Sequence, residues 1–297
     1  MGFGDHSERW KGTWESNAAL VELIGRETQD SAFAAYVAAQ RRVAEGLEDR
    51  FADAGPRVDP QAYLAGPPPE ATQPPQQTSV LRVFPGAGWA AFRSDLHDES
   101  RDIAIIFRSS PYGAISHSHA NNNDFILHAG GRVMAMPSGY YDGYGSNHHA
   151  HWVWHTKSHN CVTLSDAGQI MRSPQSRGRI HNPYEDDTIA YLCGDADAAY
   201  SDRARRCRRH IVLLKPHNCF LLVDEFEAVD GVVSALQWNI HSWNPFAVDE
   251  AARSFLLVRD ASSLRGHLLH HANGFFTLTD GWDPPPGTNR VPNQWHE

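Results

Sequence analysis

From Val80 onward the chain consists of short apolar runs separated by turn residues, with no long helical pattern between them. The runs that predict strands are VLRVF, GWAAFR, DIAIIFR, FILHA, RVMAM, NCVTL, TIAYLC, HIVLLK, CFLLVDEF, VVSALQWNI and SFLLVR. Residues 129–132 (AGGR) and 215–218 (KPHN) have the composition of hairpin turns. Many short strands without alternating helices predict a mainly β fold, a large antiparallel β-sandwich.

The residues before this region predict a different structure. Residues 15–50 are rich in alanine and lack proline, and their apolar side chains recur at helical spacing. Residues 54–79 contain seven prolines, a density through which neither a helix nor a sheet can continue. We therefore predict a short helical segment over 1–53, a Pro-rich linker over 54–79 and the β-sandwich over 80–297.

The charge balance argues against one class of partner. The chain has 26 basic and 35 acidic residues, and we interpret its concentrated basic run, RARRCRR at 203–209, as a solvated strand edge or turn. We therefore expect no nucleic-acid partner. No apolar run approaches the roughly 18 residues of a transmembrane helix, so we expect no membrane span. The four cysteines lack the C-x-x-C spacing of metal sites, and we interpret them as core thiols.

Histidine is concentrated in one part of the chain, where eight of the 18 lie between positions 117 and 159. They begin in the stretch SHSHANNND, residues 116–124, which leads directly into an apolar run. If this stretch were extended, His117, His119 and Asn121 would share one strand face, about 7 Å apart at alternate positions. Paired imidazoles are typical of a metal site or of acid–base catalysis near neutral pH.

A long segment rich in aromatic residues follows, at 137–160. Loops of this length within a compact domain are often functional. Its aromatic side chains could stack on sugar rings or could pack the loop onto the sheet, and both interpretations stay open. These side chains are Tyr140, Tyr141, Tyr144, Trp152 and Trp154.

Two known families have a similar arrangement. In the cupins, an H-x-H pair is followed by a carboxylate and a glycine. His117, His119, Asp124 and Gly131 have that spacing, and PSG at 137–139 is similar to the second cupin motif. This resemblance implies a metal-dependent enzyme.

The second resemblance is longer and rests on three motifs in the same order. Residues 108–166 resemble the β-domain of the heparinase II/III-like polysaccharide lyases, including the oligoalginate lyases. The family motifs are S-H-x-H-A-D-x-N-x-F, D-S-G-Y and T-R-x-H-N-T-V. The matching residues are Ser116, His117, His119, Ala120, Asn123 and Phe125; Ser138, Gly139 and Tyr140; and Thr156, His159, Asn160 and Val162. Residues 3–10, FGDHSERW, resemble the end of the family's α/α toroid, which implies that the chain is part of a longer enzyme.

This resemblance implies a carbon–oxygen lyase that cleaves uronic-acid-containing glycans, alginate-like or heparan-like, by β-elimination. It assigns His117 to the active site, as the base or as the group that neutralises the substrate carboxylate. Tyr140 is our candidate proton donor within the chain. The residues that we expect to contact substrate are Asn121, Asn123, Tyr144 and Trp152.

The same resemblance implies a structural zinc ion held by two histidines and an aspartate. His119 and His159 match the two histidines. Pro137 occupies the place of the aspartate, so we expect zinc only if another carboxylate completes the site.

The expected partners are an acidic poly- or oligosaccharide and an α/α toroid preceding the chain. Arg172, Arg177 and Arg179 could hold acidic sugar groups. The family resemblance favours the periplasm or secretion over the cytoplasm. The alternatives to a lyase are the cupin-like metal enzyme and a non-catalytic sandwich that binds acidic glycans.

Overall fold

The structure is a computed structural model that describes residues 21–29, 31, 33–34, 37, 79–96, 98, 100–139, 142–270, 273–287 and 295–296. The chain divides into two compact units, one of residues 7–77 and one of residues 1–6 with 78–297. In the first unit, residues 21–28 and positions 31, 33, 34 and 37 are helical, in agreement with the prediction. The rest of the predicted helical segment and nearly all of the predicted linker lie outside the described residues, so the domain boundaries stay predictions. None of the helices among the described residues is long and apolar enough to cross a membrane.

The second unit is mainly β. Its strands are β1 Leu81–Phe84, β2 Trp89–Arg93, β3 Ile103–Arg108, β4 Asp124–Ala129, β5 Arg132–Ala135, β6 Val162–Leu164, β7 Arg179–Glu185, β8 Ile189–Asp195, β9 Ala204–Leu214, β10 Cys219–Ala228, β11 Leu236–Trp238, β12 His241–Ser242, β13 Ala247–Asp249, β14 Ser254–Arg259, β15 Ser262–His267 and β16 Trp295–His296. Short helical turns lie at His149–Val153 (π), Thr156–Ser158, Asp197–Tyr200 and Lys215–His217 (all 3₁₀).

The strands form antiparallel sheets that enclose a common core. Strands β1 to β5 form one sheet in chain order, a second sheet has the order β10-β9-β8-β7, and a third has the order β13-β14-β15. Two further pairs, β6 with β11 and β12 with β16, complete the unit. One apolar cluster contains Phe107 and Phe125 of the first sheet, Leu192 and Ile211 of the second and Leu257 of the third. The predicted mainly β sandwich is therefore confirmed.

The two predicted hairpin turns are also confirmed. Strands β4 and β5 pair antiparallel through the Ala129 and Arg132 positions, so Gly130 and Gly131 form the turn. Both glycines have positive φ angles, 55° and 72°, a conformation that glycine adopts without steric cost. Strands β9 and β10 are joined by Lys215–His217, with Leu214 opposite Cys219.

Sequence patterns missed strands that lack an apolar run. Strand β7 has the sequence RIHNPYE and is an edge strand, the position where proline is tolerated because one side of the strand needs no ladder partner. Its ladder with β8 is interrupted between His181 and Tyr184. Strand β15, SSLRGH, is also an edge strand and alternates between half-buried and exposed residues.

The interpretation of residues 203–209 as a solvated strand edge or turn was wrong. Most of this run belongs to β9, which lies between β8 and β10 inside its sheet. Alternate side chains of β9 are buried, because neighbouring residues of a strand point to opposite faces. This periodicity puts Arg209 on the same face as Ile211 and Leu213, and its side chain is 1% exposed.

Substitution of a glycine in the turn between β1 and β2 tests the backbone geometry of the first sheet. Gly88 has φ +69°, and a Cβ atom there would lie 2.3 Å from the carbonyl oxygen of Ser109. We expect Gly88→Ala to lower the free energy of unfolding by at least about 2 kcal/mol, measured by urea denaturation. Gly86→Ala is the matched control, because a Cβ at Gly86 meets nothing within 4 Å. Equal stability of the two variants would contradict this description of the turn.

Candidate functional site

The segment SHSHANNND is a loop in the structure, and β4 begins only at Asp124. Ser116 and Asn123 have φ angles of 55° and 63°, which are incompatible with an extended strand. His117 is exposed, whereas His119 and Asn121 are buried. The prediction that these three side chains share one strand face was therefore wrong, because left-handed residues at both ends break the alternation.

The buried part of this loop is organised by the carboxylate of Asp124, which is fully inaccessible to solvent. One of its oxygens accepts hydrogen bonds from the backbone N–H groups of Phe125 (2.8 Å) and Asn160 (3.0 Å). The other accepts from Nδ2 of Asn121 (3.0 Å) and lies 2.9 Å from Nδ1 of His159. Four partners compensate the burial of this carboxylate. Together they tie β4 to His159 and Asn160, at the end of the aromatic segment 137–160.

A buried cation balances this carboxylate. Arg108, the last residue of β3, donates from Nη1 to the side-chain oxygen of Asn121 at 2.5 Å and to its backbone carbonyl at 3.3 Å. Burial lowers the pKa of Arg108 to about 10, although the negative charge of Asp124 acts in the opposite direction. The guanidinium therefore stays charged at neutral pH, and Asn121 connects it to Asp124.

Four rings form a connected cluster, which we call the imidazole–aromatic cluster: His117, Tyr144, His149 and Trp154. The ring of Tyr144 lies 5.8 Å from that of His117, 4.7 Å from that of His149 and 6.2 Å from that of Trp154, between centroids. His149 and Trp154 are buried, whereas His117 is exposed and Tyr144 is 62% exposed. The cluster thus exposes the imidazole of His117 and the phenol ring of Tyr144 to solvent, whereas the rings of His149 and Trp154 beside them are buried.

The aromatic loop positions this cluster through its own helical turns. The backbone N–H of Trp154 donates to the carbonyl of His149 at 3.2 Å, at the end of the π-helical turn. The N–H of Ala120 donates to the carbonyl of Trp154 at 3.0 Å, which fixes the turn next to the loop that carries His117. The N–H of Gly145 donates to Nδ1 of His149 at 3.1 Å, so the turn also orients the imidazole below Tyr144.

Comparison with known protein families assigns this unit. Residues 76–295 match the model of the heparinase II/III-like C-terminal domain. The chain belongs to the heparinase II/III-like family. No curated protein matches the chain in sequence.

Solved structures of similar fold are named heparinase III or heparan sulfate lyase. A heparinase III, the BT4657 gene product with methylated lysines, superposes with a TM-score of 0.58 at 19% identity, over 83% of this chain and 36% of its own. The heparan sulfate lyase HepC from Pedobacter heparinus superposes with a TM-score of 0.57 at 17% identity, over 90% of this chain and 39% of its own. At these identities the likeness shows the fold alone. The chain spans less than two fifths of the length of either structure.

The zinc site implied by the heparinase II/III-like resemblance can be tested against the residues present. Nδ1 of His119 lies 3.2 Å from Nε2 of His159, so the two expected ligands do meet. Pro137, at the place of the third ligand, has no side-chain atom that can bind a metal. The described residues contain no group of three His, Cys, Asp or Glu side chains placed to hold a metal ion. The side chains of the described residues therefore do not assemble a three-ligand zinc site.

We accordingly expect a chelator to leave the melting temperature of the wild-type chain unchanged. Pro137→Asp introduces the aspartate that the family motif has at this position, where the resemblance implies a zinc ligand together with His119 and His159. In this variant we expect zinc to add about 3 kcal/mol of stability once its concentration is about 100-fold above Kd, measured by thermal unfolding. Pro137→Asn is the control for the loss of proline, because an amide is a poor zinc ligand. A fall in the melting temperature of the wild-type chain on chelation would contradict the expectation.

The structure does not bring all of the predicted site residues together. Tyr140 lies outside the described residues, so its role stays a prediction. Asn121 binds Arg108 and Asp124, and Asn123 faces the backbone carbonyl of Cys207 at 3.5 Å. Both asparagines are buried, so in this conformation neither side chain reaches the exposed cluster.

Trp152 has a packing role in the structure. It is 7% exposed, and its Nε1 donates to Oγ of Ser138 at 2.8 Å. Of the substrate-contact residues predicted for this family, Tyr144 alone lies in the exposed part of the cluster. His149 was missed, because nothing in the run of histidines distinguishes it before the π-helical turn forms.

The cupin-like arrangement is not formed. His117 is exposed while His119 is buried, and the carboxylate of Asp124 is occupied by four hydrogen-bond partners. These side chains do not converge on one point. The resemblance to the cupins is therefore wrong for this chain.

Proposed function

We propose that this β unit supplies one wall of the active site of a polysaccharide lyase that cleaves uronic-acid-containing glycans by β-elimination. Membership of the heparinase II/III-like family supports the reaction class. The observation that carries the proposal is the exposed pair of His117 and Tyr144, with ring centroids 5.8 Å apart. This pair places an imidazole beside a phenol, and both side chains are commonly used in general acid–base catalysis.

The reaction requires three operations on the substrate. A base removes the proton at C5, the C4–O4 bond breaks as the C4–C5 double bond forms, and the leaving O4 receives a proton. The C5 proton is weakly acidic while the adjacent carboxylate keeps its full charge, so that charge must be neutralised as well. His117 is our candidate for the base or for the group that faces the carboxylate. Tyr144 is a candidate for the proton donor within the described residues, and Tyr140 remains a second one.

The substrate is proposed from the names of the similar structures and from charge. HepC is described as a heparan sulfate lyase, and the other structure as a heparinase III. Heparan-like and alginate-like glycans both carry the uronate that this reaction needs. We propose an acidic glycan of this kind, met in the periplasm or outside the cell, because long acidic polysaccharides occur there.

The remaining part of the active site is proposed to come from an α/α toroid. The chain covers 36% and 39% of the two similar structures, so most of each lies outside the matched region. The resemblance noted for residues 3–10 is consistent with the end of such a domain. His117 and Tyr144 would then form one side of a cleft whose other side is the toroid.

The test is product formation from a panel of uronates. The full-length parent enzyme, incubated with heparosan, heparan sulfate and alginate, is expected to release products that absorb ultraviolet light through the new double bond conjugated to the carboxylate. The 297-residue chain is assayed beside it, since we expect it to bind glycan without turning it over. Absence of an unsaturated product from every uronate would refute the lyase function. Binding without product in both samples would favour the alternative, a non-catalytic sandwich that binds acidic glycans.

A further inference from the structure

Arg172 extends the imidazole–aromatic cluster by a cation. Its guanidinium carbon lies 4.8 Å above the centre of the Trp154 ring. Trp154 in turn lies 5.3 Å from His149 and 6.2 Å from Tyr144, between ring centroids. Arg172 is therefore linked to Tyr144 through Trp154, and Tyr144 in turn contacts the exposed imidazole of His117.

Arg172 has no acidic partner among the described residues. Among the residues that the structure describes, no carboxylate lies within salt-bridge distance of this side chain. Two half-buried arginines of β9 are paired, by contrast: Arg206 lies 2.9 Å from Glu225, and Arg208 lies 3.2 Å from Asp197. The chain has a net charge of −9. A cation that has no acidic partner among the described residues can nevertheless attract an anionic ligand locally.

The position of Arg172 is held from both sides. The preceding residue, Met171, packs against the buried cluster of Trp152, Val153 and Trp154. The following residue, Ser173, accepts a hydrogen bond from the N–H of Ala114 at 3.0 Å. Arg172 itself has φ 52°, a left-handed conformation that is costly for a residue with a side chain, so its neighbours must impose it.

The chemistry of this side chain selects the ligand. A guanidinium is planar and presents parallel N–H donors that match the two oxygens of a carboxylate or of a sulfate. The contact with Trp154 restricts the guanidinium, and Arg172 as a whole is exposed to solvent. A hexuronate whose ring stacks on Tyr144 would bring such a group within reach.

We infer that Arg172 binds an anionic group of the glycan, a carboxylate or a sulfate, and thereby makes this surface selective for acidic sugars. The inference rests on the proposed function, which it deepens by naming a residue that determines specificity. Arg172 is a binding residue in this account, and the proton transfers are left to the residues named above.

The test compares Arg172→Gln with Arg172→Lys in the 297-residue chain and in the full-length parent. The binding of heparosan, heparan sulfate and alginate oligosaccharides is measured by calorimetry at physiological ionic strength, with a neutral glucan as the uncharged probe. We expect Arg172→Gln to weaken binding of the acidic oligosaccharides by about tenfold to 100-fold, the usual cost of losing a hydrogen-bonded charge. Arg172→Lys should recover part of the loss, because the charge returns without the planar fork.

Arg265→Gln is the matched control, because Arg265 is an exposed arginine on β15 and lies outside the imidazole–aromatic cluster. We expect this variant to change binding by less than about threefold, since exposed charges that make no close contact contribute little. A loss confined to heparan sulfate would identify a sulfate as the ligand, whereas an equal loss with heparosan would identify the carboxylate. Unchanged binding in Arg172→Gln, an equal loss in Arg265→Gln, or no binding of any acidic probe would overturn the inference.

The two proposals can fail separately. If the full-length enzyme binds acidic glycans in an Arg172-dependent way but forms no unsaturated product, the binding site stands and the lyase function fails. If it forms the product and Arg172→Gln has unchanged affinity and unchanged kcat/KM, the function stands and the assignment of Arg172 fails.

Discussion

Under the proposed lyase function, the His117→Ala variant of the full-length protein is expected to lose about 10²–10⁴-fold in kcat/KM on a uronate, the range typical for removal of a general acid or base. The side chain is exposed and belongs to a loop before β4, so its removal leaves the apolar core untouched. The melting temperature of the variant should therefore stay close to that of the wild type. Both kcat/KM and the melting temperature must be measured, because a loss of kcat/KM that is caused by unfolding would not show a catalytic role for His117.

His151→Ala provides the matched control for His117→Ala. His151 is an exposed imidazole on the neighbouring loop and lies outside the imidazole–aromatic cluster. We expect its removal to change kcat/KM by less than about threefold, as for other surface substitutions that make no specific contact. If His117→Ala kept wild-type turnover, His117 would have no part in the mechanism.

The largest expected effect on stability belongs to Arg209. Its guanidinium binds both oxygens of Asp224, through Nε at 2.8 Å and Nη2 at 2.9 Å. Its Nη1 donates to the backbone carbonyls of Asn123 at 2.7 Å and Asn160 at 2.6 Å. Burial alone would lower the pKa of Arg209, but the charge and hydrogen bonds of Asp224 raise it above the ordinary value. The side chain of Arg209 therefore links Asp224 of the second sheet to the backbone at Asn123 and Asn160, the two segments that the Asp124 network also joins.

We expect Arg209→Met to lower the free energy of unfolding by about 3–5 kcal/mol, because the change leaves Asp224 without its counter-ion and two carbonyls without a donor. Urea denaturation followed by tryptophan fluorescence measures the change. Arg205→Met is the control on the same strand: Arg205 is 59% exposed and lies 3.6 Å from Glu227. An exposed pair of this kind contributes about 0–1 kcal/mol.

A double variant separates the cost of an unpaired charge from the loss of packing. Arg209→Met combined with Asp224→Leu removes both charges, and we expect it to be more stable than Arg209→Met alone. Equal stability of Arg209→Met and Arg205→Met would show that the buried ion pair does not support the loop that precedes β4.

Much of the fold could be predicted, because buried strands have apolar runs and turns have characteristic residues. The β3, β4, β8 and β9 regions were recognised in this way. Edge strands such as β7 and β15 could not be, since a strand with an exposed face carries no continuous apolar signal. The burial of Arg209 was missed for a related reason: a basic run indicates solvent until the register of the strand is known.

The candidate site could be predicted only in part. The motif resemblance identified His117 and the pair of His119 and His159, and the structure separates them into an exposed residue and a buried pair. The contact of Tyr144 with His149 depends on a π-helical turn, and that of Arg172 with Trp154 depends on residues that are distant along the chain. Neither follows from the spacing of residues along the chain.

The central claim, that this β unit serves a β-eliminating lyase, is tested most directly by the product formed in heavy-oxygen water. The full-length enzyme is incubated with heparosan, heparan sulfate and alginate, and the new chain ends are analysed by mass spectrometry. Elimination predicts a product one water molecule lighter than the hydrolytic one, with an unsaturated uronate at the new non-reducing end and no heavy oxygen incorporated. A saturated product that carries heavy oxygen would show hydrolysis and would contradict the account.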